Sequence, residues 1–289
     1  MVILLGGTGY VGGAFQNLFK KDGIDYISVT RSDCDYTRGD SLRKLLDEVK
    51  PEFVINAAGY TGKPNVDACE SDRMNCLYGN AILPGVIAAA CSEKKIPWGH
   101  VSSGCIYTGR RSDGLGFREE DIPNFSFRQN NCSFYSGTKA LGEELLSEEK
   151  NCYLWRLRLP FSEVDGPRNY LTKLMRYTTL ADFENSLSQL NEYVGAAWAC
   201  WSKRVPFGIY NVTNPGAVTT REVVGLIQKA GVCNKEYQYF SDEAEFMSKA
   251  ATARRSNCVL DSSKLERAGI VLREAHEAVE LALKNWKKA

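Results

Sequence analysis

Tyr135 and Lys139 stand four residues apart in Tyr135-Ser136-Gly137-Thr138-Lys139, a spacing that puts both side chains on one helical face. A phenol is a poor proton donor or acceptor at neutral pH, with a reference pKa of about 10. A nearby ammonium favours the phenolate and brings the group into a useful range. Alone, such a pair is a common exposed helical couple. A hydroxyl that shares a substrate's carbonyl oxygen would make it specific, and Ser103, in the pair Ser102-Ser103 that closes an apolar run, meets that need.

A second chemical signal lies at the start of the chain. Val2-Ile3-Leu4-Leu5 runs into Gly6-Gly7-Thr8-Gly9-Tyr10-Val11-Gly12. Gly6, Gly9 and Gly12 follow a G-x-x-G-x-x-G pattern at a strand-to-helix junction. There the backbone must approach a pyrophosphate closely, and the helix N-terminus offers unpaired N–H groups. Elsewhere such a loop is only a tight turn; this placement predicts a dinucleotide, with Tyr10 and Val11 in the same loop. The second strand ends Val29-Thr30-Arg31-Ser32, with Asp33 and Asp35 later. A carboxylate at that tip would favour the ribose 2′-OH of NAD, and an Arg the 2′-phosphate of NADP. Arg31 and Ser32 predict NADP(H), with Asp35 a further cofactor candidate.

The elements that must position these groups alternate. Strands are expected at 2–5, 25–30, 53–56, 98–102 and 152–159, and helices at 10–21, 41–49, 80–91 and 133–146. Such alternation predicts an α/β fold with a doubly wound parallel sheet. After Pro160 the pattern becomes mixed: helices at 169–178 and 187–203 without a clear strand between them, a returning strand at 208–212, a helix at 219–229, and short elements to the end. Residues 1–160 with about 205–230 are expected to form the dinucleotide-binding domain. Residues 161–204 with 231–289 form an interleaved, smaller substrate lobe.

The 36 Lys and Arg residues nearly balance the 35 Asp and Glu, leaving a net charge of +1. Composition therefore gives no support for nucleic acid or a membrane surface as partner, and an anionic ligand needs a local pocket. The longest apolar runs read as shorter than a membrane span. No C-x-x-C occurs among the ten cysteines, and His100 and His276 are far apart, so no metal site is expected. Reduced cysteines and an apolar strand beginning at Val2, with no leader before it, predict a cytoplasmic protein. The oligomeric state stays open, a homodimer being the arrangement to test.

The glycine loop, Asn56-Ala57-Ala58-Gly59-Tyr60-Thr61, Ser103 and Tyr135-x-x-x-Lys139 resemble the extended short-chain dehydrogenase/reductase family. Within it, Val66-Asp67-Ala68-Cys69-Glu70, Asn80 and Arg255-Ser256-Asn257-Cys258-Val259-Leu260-Asp261 resemble the dTDP-4-dehydrorhamnose reductases. A closer resemblance is to the bifunctional 3,5-epimerase/4-reductases that make UDP-L-rhamnose. It is carried by Gly62-Lys63-Pro64-Asn65-Val66-Asp67, Gly104-Cys105-Ile106-Tyr107, Gly116-Phe117-Arg118-Glu119-Glu120-Asp121, Pro123-Asn124-Phe125 and Pro167-Arg168-Asn169-Tyr170-Leu171-Thr172-Lys173. Phe127–Cys132 reads as extra length relative to that family. The resemblance implies that Ala57, Ala58, Gly59, Asn80, Lys139 and Pro160 line the cofactor. It also implies that Gly104, Asn169, Arg168 and Arg255 face sugar or diphosphate.

Epimerisation asks for more than reduction. Protons on C3 and C5 are both α to a C4 ketone, so a base can remove them and an acid must return them from the opposite face. In the bifunctional family the residues matching Cys105 and Lys173 are regarded as that pair, and GDP-fucose synthases place a Cys similarly. The resemblance thus implies an NADPH-dependent 3,5-epimerase/4-ketoreductase acting on a UDP- or dTDP-linked 4-keto-6-deoxyglucose. Two rival readings are a 4-ketoreductase alone and a non-catalytic NADP-binding regulatory subunit. A pure binding module has no need of Ser103, Tyr135 and Lys139.

Overall fold

The computed structural model describes residues 1–63 and 65–288. Pro64, one member of the Gly62–Asp67 motif, lies outside them. Six parallel strands form the central sheet: β1 (Val2–Leu5), β2 (Tyr26–Val29), β3 (Phe53–Asn56), β4 (Trp98–Ser103), β5 (Cys152–Leu157) and β6 (Gly208–Asn211). Their order across the sheet is β6-β5-β4-β3-β1-β2. The chain leaves β1 to one side and returns to its other side for β3, so the order reverses between those strands. Open α/β sheets bind ligands beyond the carboxyl ends of strands at such a point, and the glycine loop and Ala57–Gly59 both emerge there.

β1, β3 and β4 are buried along their whole length, as parallel strands covered on both faces must be. On one face, α1 (Tyr10–Asp22) and α6 (Leu190–Ser202) pack Phe15, Phe19, Tyr193 and Ala197 against Leu4, Phe53 and Trp155. On the other, α2 (Gly39–Val49) and α3 (Leu83–Lys94) bury Leu42, Leu46, Ile87 and Cys91 against Ile3, Val54 and Trp98. The remaining helices that matter here are α4 (Phe134–Leu145), α5 (Tyr170–Arg176), α7 (Thr220–Lys229) and α8 (Ala275–Lys284). Phe161 from the short strand Pro160–Phe161, with Leu171, Val223, Ile227, Val279 and Leu283 from α5, α7 and α8, makes a separate small core.

This packing differs from the expected division of the chain. α6 was assigned by sequence order to the smaller lobe, yet Leu190, Val194, Ala197 and Cys200 are sunk in the sheet's core. α7 was assigned to the dinucleotide domain and instead packs with α5 and α8. Short two-residue strands at Thr179–Leu180, Glu184–Asn185 and Ser188–Gln189 also separate α5 from α6, where no strand was expected.

The helical run Arg73–Lys94 is long and apolar enough, by length and composition, to cross a membrane, which the sequence reading did not anticipate. Half of its most apolar stretch is buried against the sheet and α2. Within it, Tyr78–Ile82 widens to a π-helical turn, a local irregularity that often marks functional sites.

Candidate active site

The glycine loop is shaped by close contacts. Gly6 has φ +77°, and a Cβ there would stand 2.5 Å from the Ala58 amide nitrogen. A Cβ at Gly12 would stand 2.2 Å from the Gly6 carbonyl oxygen. The turn therefore lies flat on Ala57-Ala58, and α1 packs directly onto it. Gly9 caps α1 without a side-chain bond, and the first turn carries no acid. The amides of that turn thus remain directed at the crevice, as an anion site requires. Val11 and Ala57 pack on the core beneath, and the Tyr10 hydroxyl lies 3.3 Å from Ser162 Oγ, tying the loop to the strand Pro160–Phe161. These residues fit a dinucleotide pyrophosphate.

At the tip of β2, Arg31 and Ser32 are exposed, and Ser32 Oγ lies 2.7 Å from Thr30 Oγ1. An acid does occupy this tip, against expectation. Asp33 turns back so that Oδ2 accepts from the Thr30 amide at 2.9 Å and its hydroxyl at 2.6 Å. Those bonds hold its carboxyl below the usual range. Asp33 Oδ2 is thus engaged within the turn, and the Arg31 guanidinium stands exposed at the tip. Asp35 is also exposed and accepts from the Thr37 hydroxyl at 2.5 Å. Tyr36, not singled out from the sequence, is buried and bonds the Gly6 backbone.

Ser133 starts α4, its Oγ accepting from the Ser136 amide at 3.2 Å. Phe127 packs where a Cβ on Gly137 would be, and Arg128 holds Glu144 at 2.9 and 2.8 Å. The extra stretch is therefore a brace on the outside of α4. On the inner face Tyr135 and Lys139 are both buried. Burial pushes the Tyr135 phenol up, and a hydrogen bond with Ser103 opposes the shift. Against the lowering expected from Lys139, the net shift is upward, so the phenol stands protonated, as a donor. Burial likewise lowers the Lys139 ammonium to about 8. Among the described residues its Nζ reaches only the Val101 carbonyl, at 3.4 Å. A Cβ on Gly59 would lie 3.5 Å from that Nζ, so Lys139 ends directly beside the Ala57–Gly59 turn.

Asn80 supports this wall and is not free to hold a ligand. It is fully buried; Oδ1 accepts from the Tyr60 amide at 2.9 Å, and Nδ2 donates to the Tyr60 carbonyl at 2.8 Å. Below Lys139, one turn along α4, Glu143 accepts from Arg156 at 3.1, 3.0 and 2.7 Å and from Ser102 Oγ at 2.5 Å. Its charge favours the Lys139 ammonium against the desolvation.

Sequence reasoning missed Arg156 and Arg158. Both are almost wholly buried on the segment that leads to Leu159, which has φ +38° directly before Pro160, a strained backbone for a leucine. The signal was present: two arginines in the otherwise apolar run Trp155–Leu159 sit where charges are almost never buried unless paired. Arg158 donates to Asn185 Oδ1 at 3.2 and 2.5 Å, to the Ser256 carbonyl, and to Cys105 Sγ at 2.9 Å.

The expected sugar and diphosphate residues divide. Lys173 lies beside Arg168 and Arg255; burial first, then those two cations, lower its ammonium. Arg168 donates to the Gly62 carbonyl at 2.9 Å. Arg255 grips Asp67 at 2.7 and 2.6 Å, which holds the 62–67 loop against the 253–255 segment. Asn169 is not available to a ligand. It is fully buried, its Nδ2 donates to the Ser162 and Val164 carbonyls at 2.8 and 2.7 Å, and Oδ1 caps α5 by accepting from the Leu171 amide at 3.0 Å. Gly104 is buried too, and a Cβ there would meet Leu260 Cδ1 at 2.5 Å. Its role is close packing. Pro160 pairs beside Ser188 at the crevice edge. Among the described residues no hydrogen bond joins Cys105 to Lys173.

The fold is of the extended short-chain dehydrogenase/reductase type. Residues 1–288 match the RmlD substrate binding domain, and the chain belongs to that family. The Arabidopsis thaliana bifunctional dTDP-4-dehydrorhamnose 3,5-epimerase/dTDP-4-dehydrorhamnose reductase is 36% identical over 269 residues, 91% of this chain and 86% of that protein. The trifunctional UDP-glucose 4,6-dehydratase/UDP-4-keto-6-deoxy-D-glucose 3,5-epimerase/UDP-4-keto-L-rhamnose-reductase RHM1 of the same plant is 35% identical over 275 residues. That alignment covers 92% of this chain, which spans only 39% of the length of that relative. Among solved structures, the L780 UDP-rhamnose synthase of Acanthamoeba polyphaga mimivirus superposes with a TM-score of 0.90 at 22% identity, over 98% of each chain. A Bacillus anthracis dTDP-4-dehydrorhamnose reductase solved with NADP gives 0.82 at 19% identity, over 97% of each chain. At such identities the superpositions speak to fold.

Proposed function

We propose that this chain is an NADPH-dependent 4-ketoreductase of nucleotide-linked 4-keto-6-deoxy sugars that also epimerises C3 and C5, yielding a UDP- or dTDP-L-rhamnose. The observation that carries the reading is the buried Ser103–Tyr135–Lys139 group facing the glycine crevice, with Cys105 two residues beyond Ser103. Membership of the RmlD family and the names of the plant relatives support the 4-ketoreductase part.

In this reading Gly6, Gly9 and Gly12 admit the pyrophosphate, Arg31 and Ser32 meet the 2′-phosphate, and Lys139 holds the nicotinamide ribose. NADPH supplies the hydride that reduces C4. Ser103 and Tyr135 bind the C4 oxygen, and Tyr135, kept protonated by burial, donates its proton there. The same two hydroxyls stabilise an enolate while Cys105 and Lys173 exchange protons at the adjacent carbons. Arg168, beside Lys173, supplies positive charge that suits a diphosphate, while Arg255, paired with Asp67, holds the wall of the site. All ten thiols are free among the described residues, which suits a reducing compartment such as the cytoplasm.

The test is exchange in deuterated water without NADPH. The parent enzyme should wash deuterium into C3 and C5 of UDP-4-keto-6-deoxyglucose, and Cys105→Ser or Lys173→Met should suppress exchange at one or both carbons. A parent that exchanges nothing yet reduces an already epimerised 4-keto-rhamnose substrate would leave the reductase-only reading.

A further inference from the structure

Among the described residues Arg158 is a buried cation with no carboxylate partner. It is nearly inaccessible, and among the described residues its guanidinium meets two neutral oxygens, Asn185 Oδ1 and the Ser256 carbonyl, and one sulfur, Cys105 Sγ at 2.9 Å. The contrast with Arg156, two residues earlier, is direct. Arg156 is equally buried and fully paired with Glu143. Burying a charge unpaired is strongly unfavourable, so an isolated guanidinium points to a negative charge that the site supplies at some stage. Of the groups it touches, only the Cys105 sulfur can become an anion.

We propose that Arg158 is a positioning residue that holds the Cys105 sulfur and carries its negative charge when it acts as a base on the sugar. This inference rests on the epimerase reading above. Asn185 and Ser256 fix the guanidinium plane, each accepting from the terminal nitrogen that does not face the sulfur. The remaining terminal nitrogen is thereby aimed at Sγ. In the step itself the thiolate lone pair takes a proton from a carbon next to the C4 ketone. The C–H electron pair becomes the enolate, whose oxygen is held by Ser103 and Tyr135, and the sulfur ends as a neutral thiol. Lys173, its ammonium made more acidic by burial beside Arg168 and Arg255, returns a proton to carbon.

Among the described residues, the charged and titratable groups around Cys105 are Arg158, just beyond β5, Tyr135 and Lys139 from α4, Cys258 from the segment after Arg255, and the buried Cys69 and Cys76 of the cluster it packs against. Lys139 is the other cation, so the Arg158 effect must be isolated by substitution. Cys258 donates its thiol to the Gly104 carbonyl at 3.2 Å and is fully buried, which removes it as the reactive sulfur.

The experiment is iodoacetamide alkylation of the whole protein without substrate, read at each cysteine by peptide mass spectrometry across pH 5.5–9.5. In the parent at pH 6.5, Cys105 should react at least tenfold faster than Cys34, Cys132 and Cys233, the other partly buried thiols. In Arg158→Gln its rate profile should move to higher pH by a unit or more, while Arg158→Lys, which keeps a charge but not the fork, should restore part of the shift. If the parent's Cys105 reacts no faster than those three thiols, the proposal fails without any variant. It fails too if a folded Arg158→Gln keeps the parent's profile. Because this readout needs no substrate, a parent that shows the Arg158-dependent profile but no C3 or C5 exchange would sink the epimerase reading instead.

Discussion

Lys139→Met should make the folded protein more stable at pH 7 while abolishing its activity. The ammonium is buried beneath the crevice, and desolvation lowers it from an ordinary 10.5 to about 8. At about 1.36 kcal/mol per unit, that displacement corresponds to about 3 kcal/mol by which the native state at neutral pH is disfavoured for keeping the lysine charged. The sign follows from proton counting. Between about pH 8 and 10.5 the unfolded chain binds more protons at this site than the folded one, so the parent's stability rises with pH there. Below about 8 both states are charged and the full penalty stands. Met retains most of the length and packing, and Glu143 stays paired with Arg156, so no carboxylate is orphaned. Urea melts at pH 7 should show the variant more stable by about 2–4 kcal/mol, with the gap closing as pH approaches 10.5. A variant less stable than the parent at pH 7, or a gap independent of pH, would refute this reasoning. A site that is destabilised in order to hold a reactive group is the usual form of a stability–activity trade-off.

Tyr135→Phe deletes the proton donor but keeps the buried ring, so NADPH oxidation with an epimerised 4-keto substrate should fall by about 10²-fold or more with cofactor binding retained; a folded variant near the parental rate would remove the assigned role. Arg31→Ala should narrow the preference for NADPH over NADH, measured as the ratio of kcat/KM values, because Asp33 Oδ2 is engaged with Thr30 and the Arg31 guanidinium stands exposed at the tip; an unchanged ratio counts against it. Glu143→Gln leaves Arg156 buried without its anion and should cost about 3–5 kcal/mol in a denaturant melt, and a change under 1 kcal/mol would show that the pair is not structural.

The parts of the site that the sequence revealed are those set by local spacing. Gly6, Gly9 and Gly12 act within one turn, and Tyr135 and Lys139 lie one helical turn apart, so motif and geometry are the same information. The parts it concealed are set by long-range contacts. Arg158 meets residues from positions 105, 185 and 256, and nothing in their local patterns joins them. The family resemblance implies ligand contacts for Asn169 and Asn80, yet their side-chain amides are consumed by backbone groups. The division into lobes failed for a similar reason. The run Leu190–Ser202 is apolar on nearly every face, a mark of a helix sunk in the main core, and sequence order alone assigned it elsewhere.

Proton NMR of the sugar formed from UDP-4-keto-6-deoxyglucose and NADPH tests the central claim most directly. The account predicts UDP-L-rhamnose, with C3 and C5 inverted and C4 reduced, from this single chain. A product reduced at C4 with C3 and C5 unchanged would contradict the epimerase claim, and no product from either this sugar or its epimerised form would contradict the enzyme itself.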